Sequence, residues 1–478
     1  MSRLWEKGLK LDQLVHRFTV GSDYILDVKL LPYDCLGSLA HAIMLMSIDV
    51  LSAEELQSIQ EGLNKILADH EKQEVTISPE DEDCHTVIER ALIESIGEAG
   101  KKIHTGRSRN DQVIVTMRLF AREALLKLSE HVGVLAKVLL ERAEEGYKVP
   151  IPGYTHMRQA MPSSFGHLFS AYAESLIQDL ELLEGALRFV NRSPLGSASG
   201  YGVPLPLDRH MVSDLLGFDH PDRNALYIQN TRGKMESIVL SALLQVQMDL
   251  ARLSHDLILF SMENFQFLKI PEAFTTGSSI MPQKRNPDAL ELVRGQVSAV
   301  QARFNEVVST IAHLPAGYQR DVQLTKEPFM TAFERVSDSV VVMAKICQGL
   351  ELLPEKCRAG FTPEIFATDY ALQLVEEGVP FREAYIQAAE DLEAGAEVDI
   401  DEIMSRRDHL GSPADDDLSP LFELLDYRLE TFEEYRGGAD FAWELFDKQL
   451  PEEVLMPFDE EEELNEVGCD EPDCGHQH

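Results

Sequence analysis

Three long stretches of the chain place apolar residues three or four positions apart, which is the spacing of an amphipathic helix. They cover residues 165–187, 235–260 and 290–311, and weaker runs occupy 112–140 and 331–352. Runs of this length exceed ordinary globular helices, and a near-heptad stripe favours packing between long helices and between copies of a chain. The spacing therefore predicts an all-α protein with a central bundle of five long helices, and it indicates an oligomer.

Proline and glycine clusters interrupt this pattern and predict loops at the bundle ends, at residues 150–154, 193–196 and 200–204. Signals for strands are scarce. The helices look shorter before residue 107, and the pattern changes again after about residue 356. We therefore predict three helical domains and an acidic, disordered tail, with bounds at 1–107, 108–356, 357–450 and 451–478.

The charge of the chain is strongly negative, with 82 acidic against 43 basic residues and a net charge of −39. Such a surplus argues against nucleic acid or an anionic membrane as a partner, because phosphate would be repelled. It suggests a halophilic protein kept soluble in concentrated salt. The chain shows no signal peptide, no run of about 18 apolar residues and only six cysteines. We expect a cytoplasmic protein with reduced thiols.

Three polar stretches interrupt the helical pattern, at residues 104–112, 153–156 and 277–288, and each precedes a predicted helix. Helix amino ends offer unpaired N–H groups and a positive dipole, which suit carboxylate ligands. In so acidic a chain, this concentration of positive charge predicts a site for a polyanionic small molecule. The cationic side chains in or near these stretches are those of Arg107, Arg109, Lys284, Arg285, Arg320 and Lys326.

Each polar stretch also has an ordinary structural explanation. Ser108 or Ser163 could be a helix N-cap, and His156 could be a hydrogen-bonded loop histidine. Residues 277–279 could form a flexible linker. Two prolines farther along would stiffen the segment behind this glycine-serine tip, which favours a closing loop over a plain linker.

Taken together, the three stretches resemble the fumarase/aspartase superfamily, whose members eliminate an amine or water from a succinyl group to give fumarate. Residues 277–288 resemble its signature loop. At the position of Gln283, fumarases carry Gly and adenylosuccinate lyases usually carry Tyr. The glutamine here, together with the string from Thr105 to Gln112, resembles the argininosuccinate lyase family. The likeness is closest over residues 80–330 and extends more loosely over 10–450.

This resemblance implies an enzyme that cleaves argininosuccinate to L-arginine and fumarate, the last step of arginine biosynthesis, without metal or cofactor. It also implies a homotetramer whose central bundle forms the core and whose active sites are each built from three subunits. Two alternatives stay open: another fumarate-releasing lyase, such as an adenylosuccinate lyase, and a non-catalytic oligomeric scaffold.

The resemblance also assigns roles to individual residues. Ser278 matches the general base, although a free serine is too weak a base without tuning by its surroundings. Lys284 matches a residue that stabilises the carbanion, and His156, with Glu291 as charge partner, matches the pair that protonates the departing nitrogen. The resemblance implies substrate contacts for Ser108, Arg109, Asn110, Thr155, Asn286, Tyr318, Gln323, Lys326, Arg232 and His85.

The chain departs from the family pattern in its opening at residues 4–8, after the histidine at 157–161, and at 224–230. Arg285 also replaces a more usual lysine. These departures concern the arginine half of the substrate more than the reacting centre. In the tail, two cysteines and two histidines within 469–478 include donor types that Zn²⁺ accepts, but their spacing favours a solvated end.

Overall fold

The computed structural model of the chain describes residues 12–393 and 399–447. These residues are predominantly helical, which confirms the predicted all-α class. The predictions about residues 4–8 and about the acidic tail from residue 451 lie outside the described residues. The division into three helical domains stays a prediction.

The five long helical runs predicted from the apolar spacing correspond to the helices at Arg109–Gly146, Phe165–Val190, Lys234–Ser261, Asp288–Ile311 and Lys326–Gly349. In chain order, the helices of the described residues are α1 (Gln13–Val20), α2 (Asp23–Ser47), α3 (Ala53–Glu71), α4 (Cys84–Ile96), α5 (Glu98–Lys102), α6 (Arg109–Gly146), α7 (Phe165–Val190), α8 (Arg209–Leu215), α9 (Ala225–Asn230), α10 (Lys234–Ser261), α11 (Asp288–Ile311), α12 (Lys326–Gly349), α13 (Pro354–Ala359), α14 (Ala367–Glu376), α15 (Phe381–Glu393), α16 (Ile400–Ser405) and α17 (Ser419–Trp443). Short 3₁₀ turns occupy Glu272–Phe274, Arg320–Thr325, Pro363–Phe366 and Glu444–Phe446.

A β-hairpin stands where the sequence predicted only a loop around residues 150–154. Its strands are β1 (Pro150–Thr155) and β2 (Arg158–Ser164), paired antiparallel. The prediction was wrong because each strand of a two-stranded ribbon is an edge strand, and prolines are tolerated there. The remaining strands form two-residue pairs: β3 (Arg192–Ser193) with β4 (His220–Pro221), β5 (Leu268–Lys269) with β8 (Glu351–Leu352), and β6 (Thr276–Gly277) with β7 (Arg285–Asn286).

The bundle has two distinct ends. At one end, the close of α6 meets the start of α7, and the Phe165 ring of α7 lies 6.1 Å from the Phe260 ring near the end of α10. This is the hairpin end, because the β1–β2 hairpin follows α6 there. The opposite end, where α6 begins, is the Arg109 end.

Helices α11 and α12 complete the same arrangement. Helix α11 starts at the hairpin end and runs antiparallel to α10, so that its last residue, Ile311, lies beside Gly233 at the start of α10. Helix α12 starts at the Arg109 end, where Phe329 packs against Phe120 of α6 with 6.5 Å between ring centroids. The segment that joins α11 to α12 therefore lies at the Arg109 end.

Helix α2 carries an unusual combination of apolar and acidic residues. It is long and apolar enough to cross a membrane by length and composition, but most of its apolar stretch is buried within the fold. Asp27 and Asp34 are also buried in it. Helix α2 packs against α4, α6 and α12, so these two carboxylates lie beside the Arg109 end of the bundle.

Gly166, in the first turn of α7, allows that helix to approach the end of α6 closely. A methyl group at this position would lie 2.4 Å from the ring of Tyr147 and 2.6 Å from its backbone nitrogen. We expect Gly166→Ala to lower the free energy of unfolding by about 1–3 kcal/mol, because overpacking here must displace backbone. Thermal or denaturant unfolding measures this change.

Gly437→Ala in α17 is the matched control, because no atom outside the adjoining turns of its own helix lies within 4 Å of the added methyl group. Alanine is the better helix former, so this variant should match the wild type or exceed it by up to about 1 kcal/mol. Equal stability of the two variants would contradict the close α6–α7 approach.

Candidate active site

A cleft of about 160 Å³ opens at the Arg109 end, between the first turn of α6 and the segment that leads into α12. The structure brings residues from distant parts of the sequence together here. Six of the predicted substrate-binding residues line the cleft, namely Arg109, Asn110, Arg232, Tyr318, Gln323 and Lys326. Four further charged side chains also line it, those of Asp23, Glu82, Asp83 and Arg320.

Lys326, the first residue of α12, contacts two carboxylates of α2. Its Nζ lies 2.7 Å from Asp27 Oδ1 and 3.1 Å from Asp23 Oδ2. Burial alone would lower the pKa of Lys326, but the charges of Asp27 and Asp23 outweigh it and raise that pKa above the ordinary value. Burial in turn raises the pKa of Asp23. Lys326 therefore stays charged and holds two carboxylates beside the cleft.

Gln323 and Arg320 hold the end of α1 against the cleft. The Gln323 amide donates to the carbonyl oxygens of Thr19 and Val20, at 3.0 and 3.1 Å. Arg320 Nη2 donates to the same Thr19 oxygen at 2.9 Å. The beginning of the described chain is thus part of the wall of the cleft.

Arg232 lies buried between α9 and α10. Its Nη2 donates to the carbonyl oxygen of Val322 at 3.1 Å, and its Nε lies 3.7 Å from Glu236 Oε1. With Arg109, Arg320 and Lys326 it gives the cleft four cationic side chains. The cleft can therefore bind a ligand with several carboxylates, and its own acids can receive positive groups of the same ligand.

Helix α6 begins at the cleft with a capping box. Ser108 Oγ accepts from the Asn110 backbone N–H at 3.2 Å, and Asp111 Oδ1 accepts from the Ser108 N–H at 3.0 Å. The N-cap explanation thus holds for Ser108. The next residue, Arg109, lies 3.4 Å from a carboxylate oxygen of Asp83, and its Nη2 donates to Thr86 Oγ1 at 3.1 Å. Helix α4 therefore fixes the guanidinium beside the cleft.

His85, on α4, lies in a smaller cleft that Arg109 also lines. The side chain is buried, and its Nδ1 lies 2.8 Å from Asp34 Oδ2. The smaller cleft and the main cleft share Arg109, so His85 belongs to the same region of the molecule as the cationic residues.

The side chains of Asp27, Cys84 and His85 place possible metal-ligand atoms within 4.8 Å of one another. However, the Asp27 oxygens bind the Lys326 ammonium and the Cys84 backbone N–H, and Nδ1 of His85 faces Asp34. A lysine ammonium beside the cluster also repels a cation. These residues therefore do not fit a metal ion.

The sequence analysis missed the carboxylates that surround the cationic residues. Asp23, Asp27 and Asp34 recur at helical spacing within the apolar α2, and two of them are fully buried. Acids at such spacing in an apolar helix are the signal that could have identified them, because buried carboxylates need partners. Lys326 of the main cleft is the partner of Asp23 and Asp27, and His85 of the smaller cleft is the partner of Asp34.

Thr155 and His156 lie at the tip of the hairpin, and both side chains are exposed. His156 and Met157 form the two-residue turn with φ of 52° and 58°, in the left-handed region that side chains rarely adopt. Such local strain is often found at functional positions. Strand β2 separates His156 from α7, and Ser164, rather than Ser163, caps that helix through the His167 N–H at 3.1 Å.

The loop between β6 and β7, residues 278–284, carries Ser278 and Lys284 at the hairpin end. Ser278 Oγ accepts from the backbone N–H groups of Met281 and Ile280, at 3.1 and 3.4 Å. Lys284 is exposed, as is Glu291 in the first turn of α11, whereas Asn286 in β7 is half-buried. Within the described residues, neither His156 nor Glu291 has a side-chain hydrogen bond or ion pair, so the predicted pair is not formed inside one chain.

The predicted site is thus divided between the two ends of the bundle. Ser108, Arg109 and Asn110 stand at the start of α6, and the hairpin with His156 follows its last residue. A helix rises 1.5 Å per residue, so the 38 residues of α6 separate the two groups by about 55 Å. One chain therefore holds all the predicted residues but does not bring them to one place.

Several solved structures share this fold. The chain matches an EDDS lyase variant with bound fumarate at a TM-score of 0.69 and 24% identity, over 92% of this chain and 97% of that one. It matches a class II fumarase from Schistosoma mansoni at a TM-score of 0.65 and 16% identity, over 78% and 90%. The helical bundle is therefore the fold that these lyases share.

The sequence comparisons are more specific. Residues 8–302 match the family described as Lyase. The argininosuccinate lyase of Sorangium cellulosum is 43% identical over 89% of this chain and 98% of its own length, and that of Thermotoga neapolitana is 43% identical over 81% and 98%. The chain belongs to this lyase family and, within it, to the argininosuccinate lyases.

Proposed function

We propose that the protein cleaves argininosuccinate into L-arginine and fumarate by β-elimination, as the last step of arginine biosynthesis. The observation that carries this proposal is the cleft at the Arg109 end, where four cationic side chains converge in a chain of net charge −39. The family membership supports the same reaction.

The charges of the cleft suit this substrate. Argininosuccinate carries three carboxylates, an ammonium and a guanidinium, and the cleft offers Arg109, Arg232 and Arg320 beside Asp23 and Glu82. The first turn of α6 adds the positive end of a helix dipole. We assign the fumarate-forming carboxylates to Ser108, Arg109 and Asn110, with Thr155 of another copy. The remaining groups of the substrate then face Tyr318, Gln323, Lys326, Arg232 and His85.

Ser278 is the proposed general base. The two backbone N–H groups at its Oγ stabilise an alkoxide, because they donate to the charged form. Removal of a proton from the carbon beside a carboxylate leaves a carbanion that delocalises into that carboxylate. Lys284 and Asn286, from the same loop, stabilise the resulting charge. Closure of the loop would exclude water and strengthen both effects.

His156 is the proposed acid of the second half of the reaction. As the C–N bond breaks, His156 delivers a proton to the departing guanidinium nitrogen, and Glu291 stabilises the imidazolium. Both side chains lie free at the hairpin end of each chain. The proposed roles therefore require that this end of one copy meets the Arg109 end of another.

The exposed apolar side chains support this assembly as a homotetramer. At the hairpin end Met157 is 64% exposed, Ile280 82% and Leu292 68%. Such side chains indicate a surface that a partner covers. We propose that each active site combines the cleft of one copy, the hairpin tip of a second and the 278–284 loop of a third.

Fumarate absorbs ultraviolet light, so its release can be followed directly. We expect argininosuccinate to give an absorbance rise with the wild-type protein, and adenylosuccinate to give none. Ser278→Ala should lower kcat by about a hundredfold or more, because it removes the base. Ser279→Ala, in the same loop, is the matched control and should keep most of the activity.

The wild-type assay tests the proposed function, and the comparison of the two serine variants tests the role of Ser278. No fumarate from argininosuccinate with the wild-type protein would reject the proposed function. Ser278→Ala as active as Ser279→Ala would remove Ser278 from the mechanism and leave the family membership intact.

We further propose that the acidic surface adapts the protein to concentrated salt. Repulsion among 39 uncompensated negative charges destabilises the folded chain unless counterions screen it. We expect a higher melting temperature in molar KCl than in dilute buffer. Sucrose at equal osmolality should reproduce little of this shift, and equal melting in KCl and dilute buffer would contradict the idea.

A reducing, cytoplasmic location is part of the same proposal. The cysteines in the part of the chain that the structure describes, Cys35, Cys84, Cys347 and Cys357, are buried free thiols. Free buried thiols fit a compartment that keeps cysteine reduced. The elimination itself needs only side chains and backbone groups, so the proposal includes no metal or organic cofactor.

A further inference from the structure

Asp34 is a fully buried carboxylate of α2 that the mechanism above does not use. Its Oδ2 lies 2.8 Å from His85 Nδ1 on α4. Its Oδ1 accepts from the side-chain amide of Gln112 on α6 at 2.9 Å. Three helices thus meet at one carboxylate directly behind the cleft.

The hydrogen bond to Asp34 determines what His85 presents to the cleft. Because Nδ1–H faces the carboxylate, the other ring nitrogen, Nε2, is left without a hydrogen-bond partner among the described residues. His85 lines the smaller cleft together with Arg107, Arg109 and Gln112. A charged imidazole donates from both nitrogens, so Nε2 can donate to a carboxylate in that cleft.

Charged groups face His85 from α2, α4 and the start of α6. The buried Cys84 thiol also lies 3.9 Å from His85 Nδ1, and burial raises the pKa of this thiol, so it stays neutral. Asp34 and Asp27 face it from α2, Asp83 stands at the start of α4, and Arg107 and Arg109 lie at the start of α6. Burial alone lowers the pKa of His85, but Asp34, followed by Asp83 and Asp27, raises it above the ordinary value.

The other titratable groups of the smaller cleft behave differently. Burial, with Arg107 and Arg109, lowers the pKa of His104 to about 4, so that this histidine is neutral near pH 7. Burial raises the pKa of Glu89. The pKa of Asp34 itself is lowered: burial would raise it, but His85, then Arg107 and Gln112, favour the carboxylate. Of the two histidines in the smaller cleft, His85 is therefore the one whose surroundings favour the charged form.

We propose that Asp34 is a positioning residue for the elimination. Asp34 holds His85 as an imidazolium whose Nε2–H points toward the smaller cleft, and this N–H binds a carboxylate of the substrate. The proposal rests on the proposed function and adds a residue to it. Asp34 acts through His85 and does not touch the substrate.

Asp34→Asn tests this role, because it keeps the size of the side chain and removes its charge. Without the carboxylate, burial dominates and the pKa of His85 falls, so the imidazolium is lost at lower pH than in the wild type. We expect the KM for argininosuccinate to rise roughly tenfold or more near pH 8, with a smaller change in kcat. The deficit should shrink as the pH falls, because a lower pH restores the imidazolium.

Two variants complete the experiment. His85→Gln should show a raised KM that no longer varies with pH between about 6 and 9, and adding Asp34→Asn to it should cause little further loss. Asp179→Asn replaces another buried carboxyl, between α7 and α10, and should leave the pH profile of KM unchanged. A loss of activity in Asp34→Asn that is equal at every pH, or an unchanged profile, would overturn the proposal.

The result stays decisive if Asp34→Asn does not fold. NMR of histidine-labelled wild-type protein, assigned with His85→Gln, should show an imidazolium at residue 85 above pH 7, and a neutral ring there would overturn the proposal. Release of no fumarate by the wild type would reject the proposed function instead, so the two failures are distinguishable.

Discussion

The rigid length of α6 is the constraint on which the rest of the site depends. Its 38 residues are packed along most of their length against α7, α12 and α17, so the helix cannot bend to bring its ends together. Arg109 at its start and the hairpin after its end are therefore held about 55 Å apart. Any chemistry that needs both groups must be assembled from more than one copy of the chain.

The second determinant is the pairing of buried acids with the cations and the histidine at the Arg109 end. Asp23 and Asp27 hold Lys326, and Asp34 holds His85. Burying such pairs costs desolvation energy, so they contribute little to stability compared with apolar packing of the same volume. Their effect is on position, because they fix the orientation of charged groups where a polyanionic substrate would bind.

The sequence predicted the long helices well, because a continuous apolar stripe such as that of 235–260 has few other ways to be buried. It predicted the hairpin poorly, since Pro150, Pro152 and Gly153 are typical of loops and an isolated ribbon has no repeating pattern. The acids of α2 were also missed. Their spacing within an apolar helix indicates burial, but the sequence does not show which partner, such as Lys326, lies beside each of them. The resemblance indicated the site residues, but their division between two ends depends on helix directions, which local spacing does not contain.

The most direct test of the divided site is complementation between two variants. Arg109→Leu and His156→Asn each damage one part of the site and should each be nearly inactive alone. If the two residues come from different copies, random mixed tetramers should contain intact pairs at about a quarter of their sites, and activity should recover to about that fraction. Mixing His156→Asn with His156→Gln should restore nothing. Mixed Arg109→Leu and His156→Asn tetramers as inactive as their parents would contradict the account, because both residues would then have to act within one chain.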